Sequence, residues 1–413
     1  MTSSRLLLIL PSSSYRAAAF VEAARRLDIA LTVASDHRST FEGALPANHL
    51  YMDCGDPANV TEQARRFAAD HPLTAVFGVD DTTAVAAAHA AHALGLPHNS
   101  VAACEAARDK HRQRVLLTRQ GLPVPPFALH RFDDDLPRRA GVAPYPCVLK
   151  PTHLSMSRGV MRADDPAGFL RAAGRLRAIV GRPDVPAAGR DAFLVERFVP
   201  GDEFALEGLL TGGQLRVLAL FDKPDPLDGP FFEETIYATP SRLPDETQRD
   251  IAAAVERAAQ ALGLARGPVH AEVRLNAAGP WIIEIAARPI GGRCSAVLRF
   301  GARGEVSLEE LLLRQAMGMA TDPSAADREP LAAAVMMMPV PRAGRLVRVG
   351  GVDDARCVPW IDDVVITAHP GQVLEPLPEG SHYLGFIHAR AEAAATAVAA
   401  LRAACAKLEV ELE

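Results

Sequence analysis

The sequence lacks the features that mark membrane-spanning and secreted proteins. Clean apolar runs, such as those at 6–10 and 331–338, are far shorter than the roughly 20 residues that span a bilayer. The first run is also too short for a signal-peptide core, and no small-residue cleavage site follows it. The six cysteines lie far apart without a C-x-x-C pair, a pattern typical of buried thiols in a reducing compartment. We therefore expect a cytoplasmic protein without membrane contact, disulfide bonds or a zinc site.

An excess of basic residues is also missing. The chain carries 44 Lys and Arg against 50 Asp and Glu, a net charge of -6, whereas nucleic-acid-binding proteins usually present a basic face. We therefore expect small-molecule substrates and no nucleic-acid partner. The composition is that of a globular protein, with 49% hydrophobic and 23% charged residues. At 413 residues, and at about 150 residues per domain, the length predicts two or three domains.

The first hundred residues alternate between predicted strands and helices. Strands are predicted at 5–11, 29–35 and 72–81, and helices at 15–28 and 82–95. This alternation predicts a doubly wound parallel sheet. The G-x-G-x-x-G fingerprint of dinucleotide binding is missing, because the first strand is followed by PSSSYR.

The second of these helices carries His89 and His92, three residues apart. Such a pair could bind a metal, but no third ligand is near in the sequence, so we favour a packing or surface role.

The rest of the chain reads as α+β. A proline-rich segment at 121–146 marks a boundary, and strands and helices follow it. The predicted strands are 147–150, 159–163, 193–198, a hairpin over 203–221 and a second hairpin over 269–286. Helices are predicted at 245–264 and, at the end of the chain, at 389–408. The fold class is therefore a multidomain combination of α/β and α+β units.

A lysine precedes a flexible loop in CVLKPTHLSMSRGVMRADD, residues 147–165. In a P-loop the lysine follows the glycines, whereas Lys150 ends a strand before a loop of small hydroxyl residues. The loop is therefore expected to close over a phosphate rather than to support it from below. Lysine serves as a point charge to phosphate, and the hydroxyls of Ser155 and Ser157 with loop amides would donate the remaining hydrogen bonds.

The hairpin at 269–286 brings two carboxylates together. With a loop at 276–280, Leu275 faces Trp281, and counting back along the ladder places Glu272 opposite Glu284. The apolar face would then contain Ala271, Val273, Leu275, Trp281, Ile283 and Ile285, and the other face His270, Glu272, Arg274, Ile282, Glu284 and Ala286.

Two facing carboxylates can be a solvated pair, or they can bind Mg²⁺ together with substrate phosphates. Arg288 follows the hairpin, and Gly291 and Gly292 allow backbone amides to approach an anion closely. With the lysine and loop upstream, we interpret the arrangement as a magnesium–nucleotide site.

These motifs, in this order, resemble those of the ATP-grasp superfamily. The resemblance covers most of the chain and is best from Asp109 to Gly318. The matching motifs are Asp109-Lys110, Lys150 with the loop 152–159, the E-x-x-V-x-G-x-E hinge at Glu196, Val199, Gly201 and Glu203, and the magnesium glutamates Glu272 and Glu284 followed by Arg288.

The resemblance implies an ATP-grasp fold and its ligands. The implied domains are an N-terminal α/β domain at 1–108, an ATP-grasp domain at 109–318 with a small lid subdomain at about 125–198, and a C-terminal α+β lid-like unit at 319–413. The implied ligands are ATP and Mg²⁺, with Mn²⁺ as an alternative ion, and the implied assembly is a homodimer. The implied ATP-binding residues are Lys110, Lys150, Ser155, Ser157, Gly159, Glu196, Val199 and Glu203.

One position departs from the family pattern. The second magnesium strand often reads E-x-N-x-R, whereas this chain has Ala286 between Glu284 and Arg288. Alanine cannot bind a metal, so fewer protein groups are expected to hold a second ion.

This variant, the segment VHAEVRL and the lid-like C-terminal unit are similar to those of the L-amino acid ligases. That resemblance implies an enzyme that activates an amino-acid carboxylate as an acyl phosphate and joins it to an amine, forming a dipeptide. Arg288 would hold the acyl phosphate, and His270 would polarise the reacting carbonyl or stabilise its oxyanion, unless it is only a hydrogen-bonded histidine of the sheet. Gly291 and Gly292 would lie against the substrate.

The segment 222–240 is expected to form a loop over the site before becoming strand-like at FFEETIY. Glu233 or Glu234 would then bind a substrate ammonium, the alternative being a solvated edge.

Two other functions remain open. The domain order also resembles that of biotin carboxylase, although Ala286 and the lack of a biotin-carrier region argue against carboxylation. A non-catalytic ATP-binding regulator is the other alternative, and the presence of both lysines, both glutamates and Arg288 argues against it.

Overall fold

A parallel sheet forms the N-terminal part of this computed structural model, which describes residues 4–38, 45–320 and 322–413. Its four strands lie in the order β3-β2-β1-β4. The elements are β1 Arg5–Ile9, α1 Ala17–Arg26, β2 Ala30–Ser35, β3 His49–Tyr51, α2 Pro57–Asp70, β4 Ala75–Gly78 and α3 Asp81–Ala93. Leu6 and Leu8 pack on the face covered by α1, and Leu7 and Ile9 on the face covered by α2 and α3. The predicted doubly wound parallel sheet is therefore confirmed, although β3 and α2 were not anticipated.

A second four-stranded sheet, in the order β5-β8-β6-β7, follows two connecting helices. The elements are α4 Val101–Arg108, α5 Lys110–Arg119, β5 Phe127–Arg131, α6 Leu136–Ala140, β6 Cys147–Pro151, β7 Met161–Ala163, α7 Pro166–Val180 and β8 Ala192–Arg197. Helix α7 begins where Asp165 accepts a hydrogen bond from the Gly168 amide and Pro166 starts the first turn. Its apolar face, with Phe169 and Leu176, packs on the sheet.

The largest sheet has eight strands in the order β13-β12-β9-β10-β11-β16-β20-β18. Its strands are β9 Asp202–Thr211, β10 Gln214–Asp222, β11 Ile236–Thr239, β12 Arg266–Asn276, β13 Gly279–Ala286, β16 Ala332–Met338, β18 Ile361–Ile366 and β20 Gly385–Ala391. The remaining elements are α8 Asp245–Leu262, β14 Arg299–Phe300, β15 Val306–Ser307, α9 Leu308–Ala316, β17 Gly344–Gly350, α10 Val352–Arg356, β19 Val373–Leu374, α11 Ala394–Cys405 and β21 Glu409–Leu412.

This large sheet continues across residue 318, where a domain boundary was predicted. Strand β11 pairs with β16, so the C-terminal strands extend the central sheet. One hydrophobic core also joins the N-terminal sheet to the large sheet, with Phe20 packed in the same cluster as Phe221, Ile290 and Phe386. The segment that follows β13 is therefore enclosed between the two sheets.

Two predicted elements were partly wrong. The final helix begins at Ala394 rather than at 389, because residues 385–391 form the buried strand β20 between β16 and β18. The strand predicted at FFEETIY begins only at Ile236, because Glu234 and Thr235 bond back to Lys223 and Asp225 and keep the preceding backbone irregular. None of the helices in the described ranges combines the length and the hydropathy that a bilayer crossing demands.

Candidate active site

The hairpin formed by β12 and β13 places Glu272 directly opposite Glu284, as predicted. The route to this register was predicted wrongly. The turn is shorter than expected, since Asn276 pairs with Gly279 and Leu275 faces Pro280. A β-bulge at Ile283 then adds one unpaired residue and restores the alignment of the two glutamates.

The bulge also changes which isoleucine is buried. Ile282, predicted on the polar face, has 0% exposure and packs in the core, whereas Ile283, predicted in the core, is only half-buried.

Helix α5 holds the free edge of this hairpin. The Gln113 side chain both donates to the Ile285 carbonyl and accepts from the Ile285 amide, at 2.8 and 2.9 Å. These two bonds fix the strand that carries Glu284. Gln113 was not predicted, because its partner lies 172 positions along the chain.

Lys110 is the first residue of α5, and the Asp109 carboxylate caps the helix by accepting from the His111 and Arg112 amides. The Lys110 ammonium lies 3.1 Å from Glu284 Oε1 and donates to the Leu154 carbonyl at 2.8 Å. Lys110 therefore connects the carboxylate hairpin to the loop at 152–159.

Lys150 ends β6 and forms a buried ion pair. Its Nζ lies 2.7 Å from Glu196 Oε2, and the other oxygen of Glu196 accepts from Arg114 at 2.6 Å. Burial, against the opposing charge of Glu196 and with a smaller contribution from Arg114, lowers the pKa of Lys150 to about 8. Burial alone would raise the pKa of Glu196, but Arg114 and Lys150 together lower it.

The loop at 152–159 lies next to the C-terminal part of the chain. Gly159, with φ +76°, donates its amide to the Pro378 carbonyl at 2.9 Å. Met156 and Ser157 also have left-handed backbones. The hydroxyls of Ser155 and Ser157 form no hydrogen bond within the described ranges, which leaves them available to a ligand.

Sequence reasoning missed Lys223, which lies among three carboxylates. Its Nζ is 2.7 Å from Glu203 Oε1, 2.7 Å from Glu234 Oε1 and 3.5 Å from Glu272 Oε1. Burial alone would lower the pKa of Lys223, but the three carboxylates raise it well above its usual value. The available signal was a second lysine following a buried strand, in the segment FDKPD.

The same three carboxylates are the one group in the described part of the chain that could hold a metal with three side chains. Because the Lys223 ammonium contacts all three, this group binds an internal cation instead. His89 and His92 belong to no such group within those ranges, and the Nε2 of His89 is buried without a hydrogen bond.

The hinge motif places its glutamates beside two different lysines. Glu196 binds Lys150, while Glu203 binds Lys223. Glu203 also accepts from Arg274 at 2.9 Å, and Arg274 donates to the Val199 carbonyl at 2.8 Å. The two glutamates that were predicted to bind ATP thus each contact a lysine in this structure.

Close packing against the hairpin explains why the hinge motif has a glycine at position 201. A Cβ at this position would lie 2.1 Å from the Leu275 carbonyl oxygen, and its φ is +120°. Only glycine therefore allows the hinge to pass this close to the hairpin.

Arg288 is held by the N-terminal sheet. Its Nε donates to Asp81 Oδ1 at 3.1 Å, and Asp81 is the first residue of α3. Burial alone would lower the pKa of Arg288, but Asp81 and Glu284 raise it. Asp81 was not predicted, because its partner is 207 positions away.

His270 lies deep in the same site. Its Nε2 is 4.0 Å from Glu272 Oε1, and its Nδ1 is 3.8 Å from Glu207 Oε2 without a hydrogen bond. Burial, with the charges of Arg288 and Lys223, lowers the pKa of His270 to about 3. The imidazole is therefore neutral at pH 7.

Of the two glutamates predicted for substrate binding, Glu234 is the one at the cluster. It accepts from Lys223 and from the Tyr237 hydroxyl. Burial raises the pKa of Glu233, and Glu233 forms no ion pair within the described ranges.

The predicted glycines follow the hairpin in the enclosed segment. At Gly292, with φ +58°, a Cβ would lie 2.4 Å from Met337 Sδ, whereas a Cβ at Gly291 would meet no atom within 4 Å. Gly292 therefore allows this loop to lie against β16.

The residues present fit a magnesium ion. Glu272 and Glu284 face each other and offer the hard oxygen ligands that Mg²⁺ takes. Ala286, paired with His270, adds no ligand. Burial and the neighbouring charges of Glu234, Glu203 and Glu284, opposed by Lys223, together raise the pKa of Glu272 to about 8. A divalent cation would relieve this crowding of carboxylates.

Three protein-family models match consecutive parts of the chain. A model described as an ATP-grasp N-terminal domain matches residues 21–98, and one described as an ATP-grasp domain matches residues 143–297. A third, described as L-amino acid ligase C-terminal domain 2, matches residues 336–413. The ATP-grasp match includes Lys150, Lys223, both hairpin glutamates and Arg288.

The chain is also similar to a solved structure and to curated proteins. A crystal structure of L-amino acid ligase from Bacillus licheniformis superposes with a TM-score of 0.85 at 26% identity, covering 100% of each chain. Carnosine synthase 1 of Homo sapiens is 29% identical over 288 residues, 66% of this chain and 35% of that protein. Alanine–anticapsin ligase of Bacillus subtilis is 28% identical over 249 residues, 56% of this chain and 52% of that protein. The chain thus spans about a third to a half of the length of these curated relatives.

Proposed function

Because the chain is an ATP-grasp protein with an L-amino acid ligase C-terminal domain, we propose that it is an ATP-dependent carboxylate–amine ligase. It activates an amino-acid carboxylate as an acyl phosphate, joins it to the amine of a second amino acid, and releases ADP and phosphate. The observation that supports this most directly is the positive charge gathered at the hairpin: Lys110 contacts Glu284, and Arg288 and Lys150 lie near enough to help lower the pKa of Glu284.

The first step transfers the γ-phosphoryl group. A donor carboxylate oxygen attacks the γ-phosphorus, the bond to the β,γ-bridging oxygen breaks, and ADP leaves. Lys110 and Lys150 neutralise charge on the phosphate oxygens, and the loop with Ser155 and Ser157 covers them and excludes water. Mg²⁺, or Mn²⁺, held by Glu272 and Glu284 would supply further neutralisation of phosphate charge when bound.

The second step forms the amide. The acceptor amine attacks the acyl carbon, the carbon–oxygen bond to phosphate breaks, and the leaving phosphate takes the electron pair while the nitrogen loses a proton. Arg288 holds the acyl phosphate through its planar guanidinium. His270, which is neutral, donates one hydrogen bond to the developing oxyanion. Glu234 accepts the ammonium of the donor amino acid.

Amino-acid-dependent phosphate release tests this function. The purified protein would be incubated with ATP, Mg²⁺ and each pair of the twenty amino acids, and active mixtures would be examined by mass spectrometry. A dipeptide mass with an equal amount of phosphate is the expected result. Silence across every pair, with ATP binding shown separately, would contradict the proposal and favour a regulator. Turnover that depends on bicarbonate and biotin would favour carboxylation instead.

Replacing Glu284 tests the metal site within the same assay. Glu284→Ala removes a predicted magnesium ligand, so phosphate release is expected to fall at least 100-fold, as for loss of an essential charge-stabilising group. Glu246→Ala, at an exposed position on α8, is the matched control. Near-normal turnover by Glu284→Ala would show that the hairpin does not bind the catalytic ion. The homodimer implied by the resemblance stays a prediction.

A further inference from the structure

Arg293, in the segment that follows the hairpin, packs beside two neighbouring aromatic rings. Its guanidinium carbon is 5.8 Å from the centroid of the Tyr15 ring and 5.8 Å from that of Phe386. The two rings are themselves 6.1 Å apart. The three distances form a nearly equilateral triangle, so both rings lie on the same side of the guanidinium. Such cation–π contacts hold a guanidinium in place while leaving its N–H groups free to donate.

Arg293 differs from the other basic side chains of the site in having no anionic partner. Within the described ranges it forms neither an ion pair nor a side-chain hydrogen bond. The other four are paired: Lys110 with Glu284, Lys150 with Glu196, Lys223 with Glu203 and Glu234, and Arg288 with Asp81. A half-buried, preoriented and unpaired guanidinium is suited to binding a carboxylate.

Strand pairing places Arg293 close to the predicted ammonium site. Thr235, which follows Glu234, accepts from the Met337 amide at 2.7 Å, and Met337 pairs with Phe386 on the next strand. Two strand spacings of ~4.8 Å separate Thr235 from Phe386, or roughly 10 Å. Arg293 stacks on Phe386 from the loop side, because Gly292 lies against Met337.

This separation suits a dipeptide. Two extended residues span about 7 Å, and the side chains of a glutamate and an arginine account for the remaining distance. Tyr383 lies at the Arg293 end, since its ring is 6.0 Å from that of Phe386. Burial raises the pKa of Tyr383, and the charge of Glu234 raises it further, as expected for a neighbouring carboxylate.

We propose that Arg293 binds the α-carboxylate of the acceptor amino acid. The inference rests on the proposed function, because only a reaction between two amino acids leaves a second carboxylate in the site. The donor carboxylate is consumed by phosphorylation, whereas the acceptor carboxylate keeps its charge from binding to product release. Tyr15 and Phe386 thus position the guanidinium that selects amino acids over simple amines.

Steady-state kinetics on Arg293→Met would test this role. The two acceptors compared would be the amino acid found in the phosphate-release screen and the same compound with its carboxylate converted to the primary amide. For the amino acid, the KM of the acceptor should rise about 10- to 100-fold, as for loss of a charge-assisted hydrogen bond. For the amide, the KM of wild type and variant should agree. Donor KM and ATP KM should stay unchanged.

Two further variants complete the experiment. Arg299 is an exposed arginine that lines a surface groove together with Arg293. Arg299→Met should leave the acceptor KM unchanged. Arg293→Lys keeps the charge but not the planar fork, so it should recover part of the affinity for the amino acid.

The outcomes separate this inference from the proposed function. If wild type releases no phosphate with any amino-acid pair, the proposed function fails and the role of Arg293 fails with it. If wild type is active and Arg293→Met discriminates between acid and amide as wild type does, only the role of Arg293 is wrong. A rise in donor KM instead of acceptor KM, or an effect confined to aspartate and glutamate acceptors, would equally overturn it.

Discussion

Each of the three lysines at the site contacts a glutamate that was predicted from the hairpin or the hinge motif, not from its contact with a lysine. Lys110 contacts a magnesium glutamate, and Lys150 and Lys223 contact the two hinge glutamates. The hinge motif therefore acts by placing charged side chains rather than through the nucleotide alone. Glu196 fixes the Lys150 ammonium near the end of β6, just before the loop at 152–159 that is predicted to cover the phosphates.

The pKa of Lys150 leads to a prediction about pH. Because burial lowers it to about 8, the free enzyme keeps the positive charge of Lys150 below pH 8 and loses it above. At saturating Mg²⁺, kcat/KM for ATP should therefore fall as the pH rises through 8, toward a tenfold loss per pH unit. Lys150→Arg, which stays protonated, should remove this decline between pH 8 and 9.5. A wild-type profile that is flat across this range would contradict the role of Lys150.

Lys223 is predicted to matter for stability as well as for the site. Lys223→Met would leave Glu234 and Glu272 without their cation, whereas Glu203 would keep Arg274. Removing one partner of a buried ion pair costs about 3–5 kcal/mol of unfolding free energy. Without the lysine, the folded pKa of these carboxyls would exceed the unfolded value of about 4.3. Their contribution to stability is then present at low pH and lost as the pH rises through the folded pKa.

The measurement is chemical unfolding of Lys223→Met at pH 8 and at pH 5. The deficit relative to wild type should shrink at pH 5, and Lys223→Arg should recover most of it at both values. A deficit that is the same at both pH values would indicate lost packing rather than unpaired charge.

The sequence predicted the residues of the site that lie on local motifs, and missed their distant partners. Glu272 and Glu284 could be paired by counting along a hairpin, because register links the two strands through a short turn. Asp81, Gln113 and Lys223 were missed, since nothing in their own neighbourhood shows which distant carboxylate or backbone group they meet. Tertiary packing alone decides those contacts.

At the scale of elements, the prediction of the hairpin contained two errors whose effects on the register cancel. The predicted loop was too long, and the bulge at Ile283 was not foreseen, yet both shift the register by one residue in opposite senses. The pairing of the glutamates was therefore confirmed. The faces predicted for Ile282 and Ile283 were wrong, because Ile282 is the one buried in the core. A bulge has no reliable sequence signal here, because neither isoleucine needs an unusual backbone.

Gly159 is predicted to be essential to the loop over the phosphates. Gly159→Ala would place a Cβ 2.8 Å from Leu176 Cδ1 on a backbone with φ +76°. Left-handed backbone costs a non-glycine residue about 1–2 kcal/mol, and the contact adds about 1–3 kcal/mol. Both a loss of unfolding free energy and a higher KM for ATP are expected.

Gly212→Ala provides the matched control. Its φ is +59°, but an added Cβ meets no atom within 4 Å. It should therefore show only the backbone cost and an unchanged KM for ATP. Equal effects of the two variants on KM would mean that the position of the loop at Gly159 is irrelevant to nucleotide binding.

At the scale of the whole molecule, the β5-β8-β6-β7 sheet is tied to the C-terminal part of the chain. Arg158 donates to the Glu379 carbonyl at 3.0 Å, and Arg175 donates to the Glu379 carboxylate at 2.7 Å. Arg182 pairs with Glu375 at 2.6 Å. These contacts surround the Gly159–Pro378 hydrogen bond, so the loop over the phosphates and the segment 375–380 are held together.

Breaking this connection should weaken nucleotide binding in a salt-dependent way. The double variant Glu375→Gln/Glu379→Gln removes two partly exposed ion pairs, each worth about 0.2–1 kcal/mol. We expect KM for ATP to rise about 2- to 30-fold at low salt, with wild type approaching the variant at about 1 M salt because surface pairs are screened.

Glu411→Gln is the control. Glu411 lies on β21, and the substitution removes its exposed ion pair with Arg348. It should leave KM for ATP unchanged at every salt concentration. If the double variant matched this control, the segment 375–380 would have no part in closing the loop.

The pairing of every lysine at the site with a carboxylate has a consequence for how nucleotide enters. A triphosphate that approaches does not find open positive charge but must displace counterions that the protein already supplies. Nucleotide binding then replaces lysine–carboxylate ion pairs with lysine–phosphate ion pairs. Its free energy is the small difference between these two large electrostatic energies. The displaced carboxylates need a cation of their own, which a metal complex of the nucleotide brings and a bare polyanion does not. We therefore expect the site to discriminate against inorganic polyanions through the same glutamates that hold its lysines in place.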